Sequence, residues 1–359
     1  MRRFSFAFHW LRCKKPAGKN KSRLHEADQL YKAILKTNHI IQRNLAALAL
    51  LALSTFNSQL STAFAQGSLT PPGPPAPTMK SADQIEPRTI VNAVNTPGDS
   101  GNLFIITNSG SYYLTTNLVG VSGKNGIEIA ANNVTLDLNG FVLQGVSVSY
   151  DTADGIIIPN AQTNITVRNG SISGWGTGVG SFSSSSLNTV LERLNVSDNF
   201  WDGIVVNGPG AVSSCTANND GVYMYGGGGI VIGSGSTVSG CAVENTGYST
   251  SDNYGAYGVG ITVLGSGSEA IGNLCIGNTD IGIEVGGSNN RLENNHVTAS
   301  GHEGIFVMSG ANNIIIKNSV SGNGANNYSI PAGQVFGPLI TNTVSGIITN
   351  SNPWANFSF

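Results

Sequence analysis

The sequence predicts an all-β protein, a right-handed parallel β-helix of about eight coils with a cap at each end. Three observations carry that prediction. First, of 359 residues 47 are Gly and only 11% are Asp, Glu, Lys or Arg, against about 25% charged and about 7% Gly in ordinary globular domains. That balance excludes a helix bundle or coiled coil, and 40% hydrophobic residues with a net charge of −2 exclude a disordered chain. Second, a Gly followed by Ile or Val recurs at 126, 155, 178, 203, 229, 260, 282 and 304, and most copies open an alternating strand such as GIEIA, GIVVN or GIEVG. Third, about ten residues later comes an apolar triple at offsets 0, +3 and +5. It reads Leu191/Leu194/Val196, Val212/Cys215/Ala217, Val238/Cys241/Val243, Ile271/Leu274/Ile276 and Leu292/Asn295/Val297.

A single repeat of this length cannot bury its own apolar side, but stacked repeats can, each strand pairing in parallel with its equivalent above and below. Strands then rise by about 4.8 Å per coil. Gly and Asn at the bends supply positive φ. Asp198, Asn219, Asn245 and Asn278, seven residues after each cluster start, read either as an internal polar ladder or as plain turn residues.

The near-neutral charge conceals two opposed segments. Residues 1–65 carry a net +9 and the remainder −11. Residues 1–65 form a long N-terminal region with a signal peptide: Arg43, the apolar run LAALALLAL and Ala63-Phe64-Ala65 follow the order of a secretory leader. The apolar run is shorter than the roughly 20 residues a bilayer span needs, so no membrane span is expected once the leader is removed. The basic stretch before it reads as an extended leader or as a retained amphipathic helix. Residues 66–80 form a Pro-rich linker, 81–124 an N-terminal cap, 125–329 the β-helix and 330–359 a C-terminal cap. The expected location is secreted, periplasmic or cell-surface. An acidic body argues against nucleic acid as a partner, and the Gly226–Gly229 run lacks the Lys and helix of a phosphate-binding loop.

These repeats, together with SADQIEPRTIV, GSYYLTTNLVGVSGKNGIEIAANNVTLDLNGF and the terminal NPWANF, resemble the right-handed parallel β-helix (pectate-lyase-like) superfamily, and within it uncharacterised secreted bacterial β-helix proteins. The resemblance spans essentially residues 81–359 and is specific for fold rather than chemistry. For a lyase-like site it implies clustered carboxylates holding Ca2+ and a basic residue near the substrate. Asp198, Asp202 and Asp220 are the candidate metal ligands and Arg193 the candidate base. For a polygalacturonase-like site, Asn278-Thr279-Asp280 matches one short motif. Gly301-His302-Glu303-Gly304 stands where two adjacent Asp should follow, and the G-H-G and R-I-K motifs are absent. His302 and Glu303 remain a candidate local acid/base pair. His296 and His302 alone make no zinc motif.

Two further patterns bear on function. Aligning coils on the Gly-Ile pair places aromatics in successive preceding turns, with Trp175, Trp201, Tyr225 and Tyr257 as the candidate glycan platform, followed by Asp280 and His302. The alternative is aromatic packing that braces long turns. Cys215 and Cys241 share the +3 place of successive coils, so they either form a disulfide or fill an inward column as free thiols; Cys275 is one residue out of that register. The function these features suggest is a polysaccharide-binding or structural β-helix protein. The alternative is a polysaccharide lyase, epimerase or glycoside hydrolase on the same fold.

Overall fold

The computed structural model describes residues 86–146, 152–221, 227–247, 258–341, 348 and 351–359, with positions 29, 32, 33, 36 and 37. The leader, its cleavage site and the Pro-rich linker lie outside the described residues. The chain divides into two units, 1–78 and 79–359. In the first, the five described positions are helical, and the Thr37 hydroxyl donates to the Ala33 carbonyl at 2.9 Å.

The second unit is a parallel β-solenoid. One sheet stacks ten short strands, one per coil, from Asn102–Ile106 to Tyr328–Ser329. A second sheet of twenty strands supplies two arms per coil. Every pairing between named strands is parallel, as in Val179–Ser181 on Ile204–Val206 and Ile261–Val263 on Ile283–Val285. Among the described residues the coil count is therefore about ten rather than about eight. The strands Asn102–Ile106 and Tyr328–Ser329 lack the Gly-Ile opening, yet they pair in register with the first and last strands that have it.

Alternation along the ten-stranded sheet sends two residues of most strands inward. Ile127/Ile129, Ile156/Ile158, Ile204/Val206, Ile230/Ile232, Ile261/Val263 and Ile283/Val285 have no exposed surface. Each joins a continuous apolar column with its neighbours above and below. The Gly that opens each strand has a different cause from the one its place near a bend suggests. None of the eight has positive φ. Instead, a Cβ at Gly178 or Gly203 would stand 2.6 Å from the carbonyl oxygen of Gly203 or Gly229 in the next coil. Backbone packs on backbone along this column, and only Gly leaves the room.

Each coil turns three corners, and most of the described corners share one construction. A residue in the left-handed region is followed by a buried residue. At the bend between the two arms the left-handed residues are Asn169, Arg193, Ser214, Gly240, Gly272, Asn294 and Lys317. After the last three of these come Asn273, Asn295 and Asn318, all buried. Their amides form a ladder: the Oδ1 of Asn295, Asn318 and Asn356 each accepts the backbone N–H and the Nδ2–H of the Asn one coil earlier, at 2.9–3.1 Å. At a second corner the side-chain oxygens of Ser268, Asn290, Asn313 and Gln334 each accept the backbone N–H of Ser236, Ser268, Asn290 and Asn313 in turn, and Gln334 also takes the Asn313 Nδ2–H. At the third, Asp198, Asn219 and Asn245 are exposed left-handed turn residues. The buried column there runs one residue later for these three, through Asn199, Asp220 and Thr246, and includes Asn278. Of the four residues read as an internal ladder, only Asn278 belongs to one.

The apolar triples need one correction. The fourth is Ala270/Asn273/Cys275, because Ala270 pairs with Val238 and Leu292, and Cys275 with Val243 and Val297. Ile271, Leu274 and Ile276 face outward and are half-buried. An apolar outer face disguised the alternation in this coil. Cys275 is thus outside the Cys215/Cys241 column, as expected, but by two residues: it points inward at the +5 place, and Asn273 takes the +3 place. Cys215 and Cys241 do share one column, and both are free thiols, fully buried, as is Cys275. Each of the two faces the carbonyl of the residue two before it, at 3.4 Å.

The ladder predicts a contrast between adjacent residues. Asn295→Ala removes bonds to Ala270 and Asn318 and strands the buried amide of Asn273, at about 1–3 kcal/mol per buried group left unpaired. Asn294→Ala, exposed and left-handed, costs only about 1–2 kcal/mol of backbone preference. Denaturant melts of the two variants should therefore differ clearly, with Asn295→Ala the less stable.

Candidate functional site

The outward positions of the ten-stranded sheet line up by register as Gly180, Val205, Val231, Thr262, Glu284 and Phe306. Over three of them lies a groove of about 490 Å3. Its floor is Val231, Thr262 and Glu284, Asp202 and Asp280 stand at the edge where the strands begin, and Leu264 closes the opposite edge. The floor is side chains on paired strands, so its geometry is set by the sheet rather than by loops.

Burial governs the charges here. It raises the pKa of Asp202 against the bond its Oδ1 accepts from Gly228 N–H at 2.6 Å. It also raises Asp280, an effect that the His302 imidazole offsets in part and the Glu303 charge reinforces. Glu284 is raised by burial and by the neighbouring Asp280. Asp280 and His302 occupy the same place in successive coils, joined by the His302 N–H to Asp280 carbonyl bond at 2.8 Å. The His302 Nδ1 lies 3.2 Å from Asp280 Oδ1 and 3.7 Å from Glu303 Oε2. The alignment on the Gly-Ile pair that put Asp280 and His302 in one column is reproduced here.

Other candidates are not brought together. Arg193 is a left-handed residue at the bend between the two arms. Its Nε donates to Asn169 Oδ1 at 2.8 Å and its guanidinium pairs with Glu192. Asp202 belongs to a different corner, where the coil enters the ten-stranded sheet, so Arg193 does not face it as a base. The three carboxylates considered for Ca2+ sit in three settings. Asp198 is exposed and accepts from Asn219 Nδ2 at 2.7 Å, and Asp202 edges the groove. Asp220 is fully buried, with its Oδ1 taken by the backbone N–H and side-chain amide of Asn199 at 3.0 and 2.8 Å. Burial pushes its pKa up to about 7. Asp154, in the same column as Asp202, is pushed up to about 6 by burial while its Oδ1 accepts the Thr177 N–H.

The aromatic platform divides. Trp175 is 5% exposed. Its indole N–H donates to the Leu143 carbonyl at 3.1 Å, and Gly120 makes room for the ring, since a Cβ there would stand 2.8 Å from Cη2. Trp175 is packing, and it sits one place off the column: it stands three residues before Gly178, whereas Trp201, Asp280 and His302 each stand two before theirs, and it is Gly176 that shares the Trp201 place. Trp201 is half-buried, edge-on to Phe200 with ring centroids 6.3 Å apart. Tyr225 and Tyr257 lie outside the described residues. Sequence reasoning passed over Glu284. Its signal was available: with Glu128 it is one of two acidic residues at the outward place of the Gly-Ile strands.

No protein-family model matches the chain, and no curated protein matches it. Among solved structures it is similar to the Dettilon tailspike protein (gp208), at 18% identity and a TM-score of 0.39, over 62% of this chain and 41% of that one. It is similar to pectate lyase Pel9A at 15% identity and a TM-score of 0.38, over 63% and 65% of the two chains. The A-module of the Azotobacter vinelandii mannuronan C-5 epimerase AlgE6 gives 16% identity and a TM-score of 0.36, over 65% and 72%. The chain spans less than half of the tailspike and just under two thirds of the lyase. The class rests on the chain's own strand register: it is a parallel β-helix protein with an acidic groove on its ten-stranded sheet. Among the described residues, no helix is long and apolar enough to cross a membrane.

Asp220 yields a pH prediction. Its pKa in the folded chain is above its ordinary value. The stability it contributes is therefore complete near pH 4 and is lost as pH rises through about 7. Asp220→Asn keeps an oxygen for Asn199 and cannot ionise. Its stability relative to the parent should improve from pH 4 to pH 8, by on the order of 3 kcal/mol. Thermal melts across that range check it; a difference independent of pH contradicts it.

Proposed function

We propose that the chain is an exported β-helix protein that binds a stretch of polysaccharide in the groove over Val231, Thr262 and Glu284. The observation that carries this reading is the form of the groove: a floor of one apolar, one hydroxyl and one carboxylate side chain with further carboxylates at its edge, continued across three coils. Coils repeat at about 4.8 Å, close to the length of a sugar ring, so three coils offer two or three successive places for sugar units. Loops and faces on one side of a repeat protein are commonly its binding side. The basic leader and Ala63-Phe64-Ala65 support export.

The charge of the lining narrows the ligand. Asp202, Asp280 and Glu284 accept hydrogen bonds from sugar hydroxyls and attract an ammonium group, and they repel a polyuronate. Neutral or amino-sugar chains are therefore the favoured class. A second reading, an enzyme on the same rod acting as lyase, epimerase or glycoside hydrolase, is favoured by one observation. Burial raises three carboxyls of the groove from their ordinary values, the direction in which general acids are tuned.

Calorimetric titration with neutral, amino-sugar and uronate oligosaccharides tests both. Neutral or amino-sugar chains should bind, Thr262→Arg should weaken that binding by about tenfold or more, and Ser239→Arg on the other sheet should leave it unchanged. Uronate as the tightest ligand, or binding indifferent to Thr262→Arg, contradicts the reading. New reducing or unsaturated ends in the same samples identify the enzyme instead.

A further inference from the structure

At the end of the groove, Asp280, His302 and Glu303 bring three ligand atoms, one from each side chain, within 4.8 Å of one another. Two coils hold them. Asp280 and His302 are stacked through the bond from His302 N–H to the Asp280 carbonyl, and the strands that follow are locked by the pairing of Ile283 with Ile305. Glu303 follows His302 directly in the chain. The donors are one imidazole nitrogen and two carboxylate oxygens, from elements that cannot slide without breaking sheet register.

The two separations from the imidazole fit a shared cation, and the two carboxylates lie within 4.8 Å of each other. With bonds of about 2.0–2.2 Å to nitrogen and oxygen, two atoms bound to one ion lie about 3–4 Å apart. The His302 Nδ1 is 3.2 Å from Asp280 Oδ1 and 3.7 Å from Glu303 Oε2. The surroundings supply a second, independent reason. Asp280 also lines the groove, beside Asp202 and Glu284. Among the described residues, no Lys or Arg lies within ion-pair reach of Asp202, Asp280, Glu284 or Glu303. Residues 222–226 and 248–257, the stretches of chain that lead into the strands of this face, contain no Lys or Arg in sequence either. Four carboxylates with one imidazole leave a negative field that the protein's own cations do not meet.

We propose that Asp280, His302 and Glu303 bind a divalent transition-metal ion of the zinc or manganese class at the edge of the groove. The imidazole donor selects against Ca2+ and Mg2+, which take oxygen ligands, and suits zinc and its neighbours. Three protein ligands leave a coordination place free, as in sites where a metal meets water or substrate. Asp280 bridges the site and the groove, so that place is offered to a sugar hydroxyl. The site stands or falls independently of glycan binding, because it is assayed with metal alone.

The test is titration of the purified, folded mature chain, stripped with chelator, with ZnCl2, MnCl2 and CaCl2 in the absence of glycan. One equivalent of Zn2+ or Mn2+ should bind, with Ca2+ much weaker. His302→Ala and Asp280→Asn should each weaken binding by at least roughly tenfold, since even residues that only support ligands cost about 10–100-fold. His302 is 69% exposed in its side chain, so its replacement leaves the interior alone. His296→Ala, at an exposed place on a strand of the other sheet, should bind as the parent does. A Co2+-loaded sample should show a visible absorption band that His302→Ala abolishes. The proposal is overturned if no ion binds at one equivalent, if Ca2+ binds as tightly as Zn2+, or if His302→Ala binds like the parent.

Discussion

A parallel stack of coils must satisfy its backbone where the strands stop. Within a strand each N–H meets a carbonyl of the next coil, but at a corner the chain turns and the regular ladder lapses. A buried amide left unpaired there costs about 1–3 kcal/mol, and ten coils with three corners each would multiply that cost beyond what a domain's net stability can absorb. At many corners the molecule answers it with a left-handed residue that turns the chain and a buried polar residue that follows, and at others an apolar residue such as Leu194 or Ile165 takes that buried place. Where the residue is polar, its side chain accepts the N–H of the equivalent residue one coil away. Asn273, Asn295, Asn318 and Asn356 form the longest uninterrupted run of asparagines built this way. Low charge and abundant Gly, Asn and Ser follow from this construction, because corners rather than helices make up the surface.

The same construction frees one face for function. With the corner backbone met from inside and inward strand positions filled mainly by Ile and Val, the outward positions carry no structural duty. Val231, Thr262 and Glu284 therefore form a floor whose spacing the sheet dictates. Asp202 shows the two roles meeting: its Oδ1 accepts Gly228 N–H as a ladder residue does, while the carboxylate edges the groove. Asp220 shows the opposite balance. It occupies a ladder place, fully buried, and its raised pKa follows from putting an acid where an amide or hydroxyl would serve.

Much of the fold was legible because its causes are periodic. Gly-Ile pairs mark the ten-stranded sheet, and the triples mark both arms of the other. What escaped was whatever the period does not encode. The strands Asn102–Ile106 and Tyr328–Ser329 lack the Gly, so eight coils were expected and ten found. Ile271 and Leu274 are apolar yet outward, which shifted one triple by a residue. The exposed Asp198, Asn219 and Asn245 mimic ladder residues because both sides of a corner favour small polar side chains. The site was legible in part. Asp202, Asp280, His302 and Glu303 stand out as polar residues in turn columns. Glu284 was hidden by its hydrophobic neighbours, and Trp175 was grouped with Trp201 although it stands three residues, not two, before its Gly.

The central claim is that coupling between corner side chains of successive coils, and not apolar stacking alone, holds the coils in register. A double-mutant cycle on Asn295 and Asn318, replaced by Ala singly and together and followed by equilibrium unfolding, tests it most directly. Asn295 Nδ2 donates to Asn318 Oδ1 at 2.9 Å and Asn295 N–H to the same oxygen at 3.0 Å. The account predicts a coupling energy of about 1 kcal/mol or more, within the range for contacting residues of one hydrogen-bond network. Strictly additive losses would contradict it.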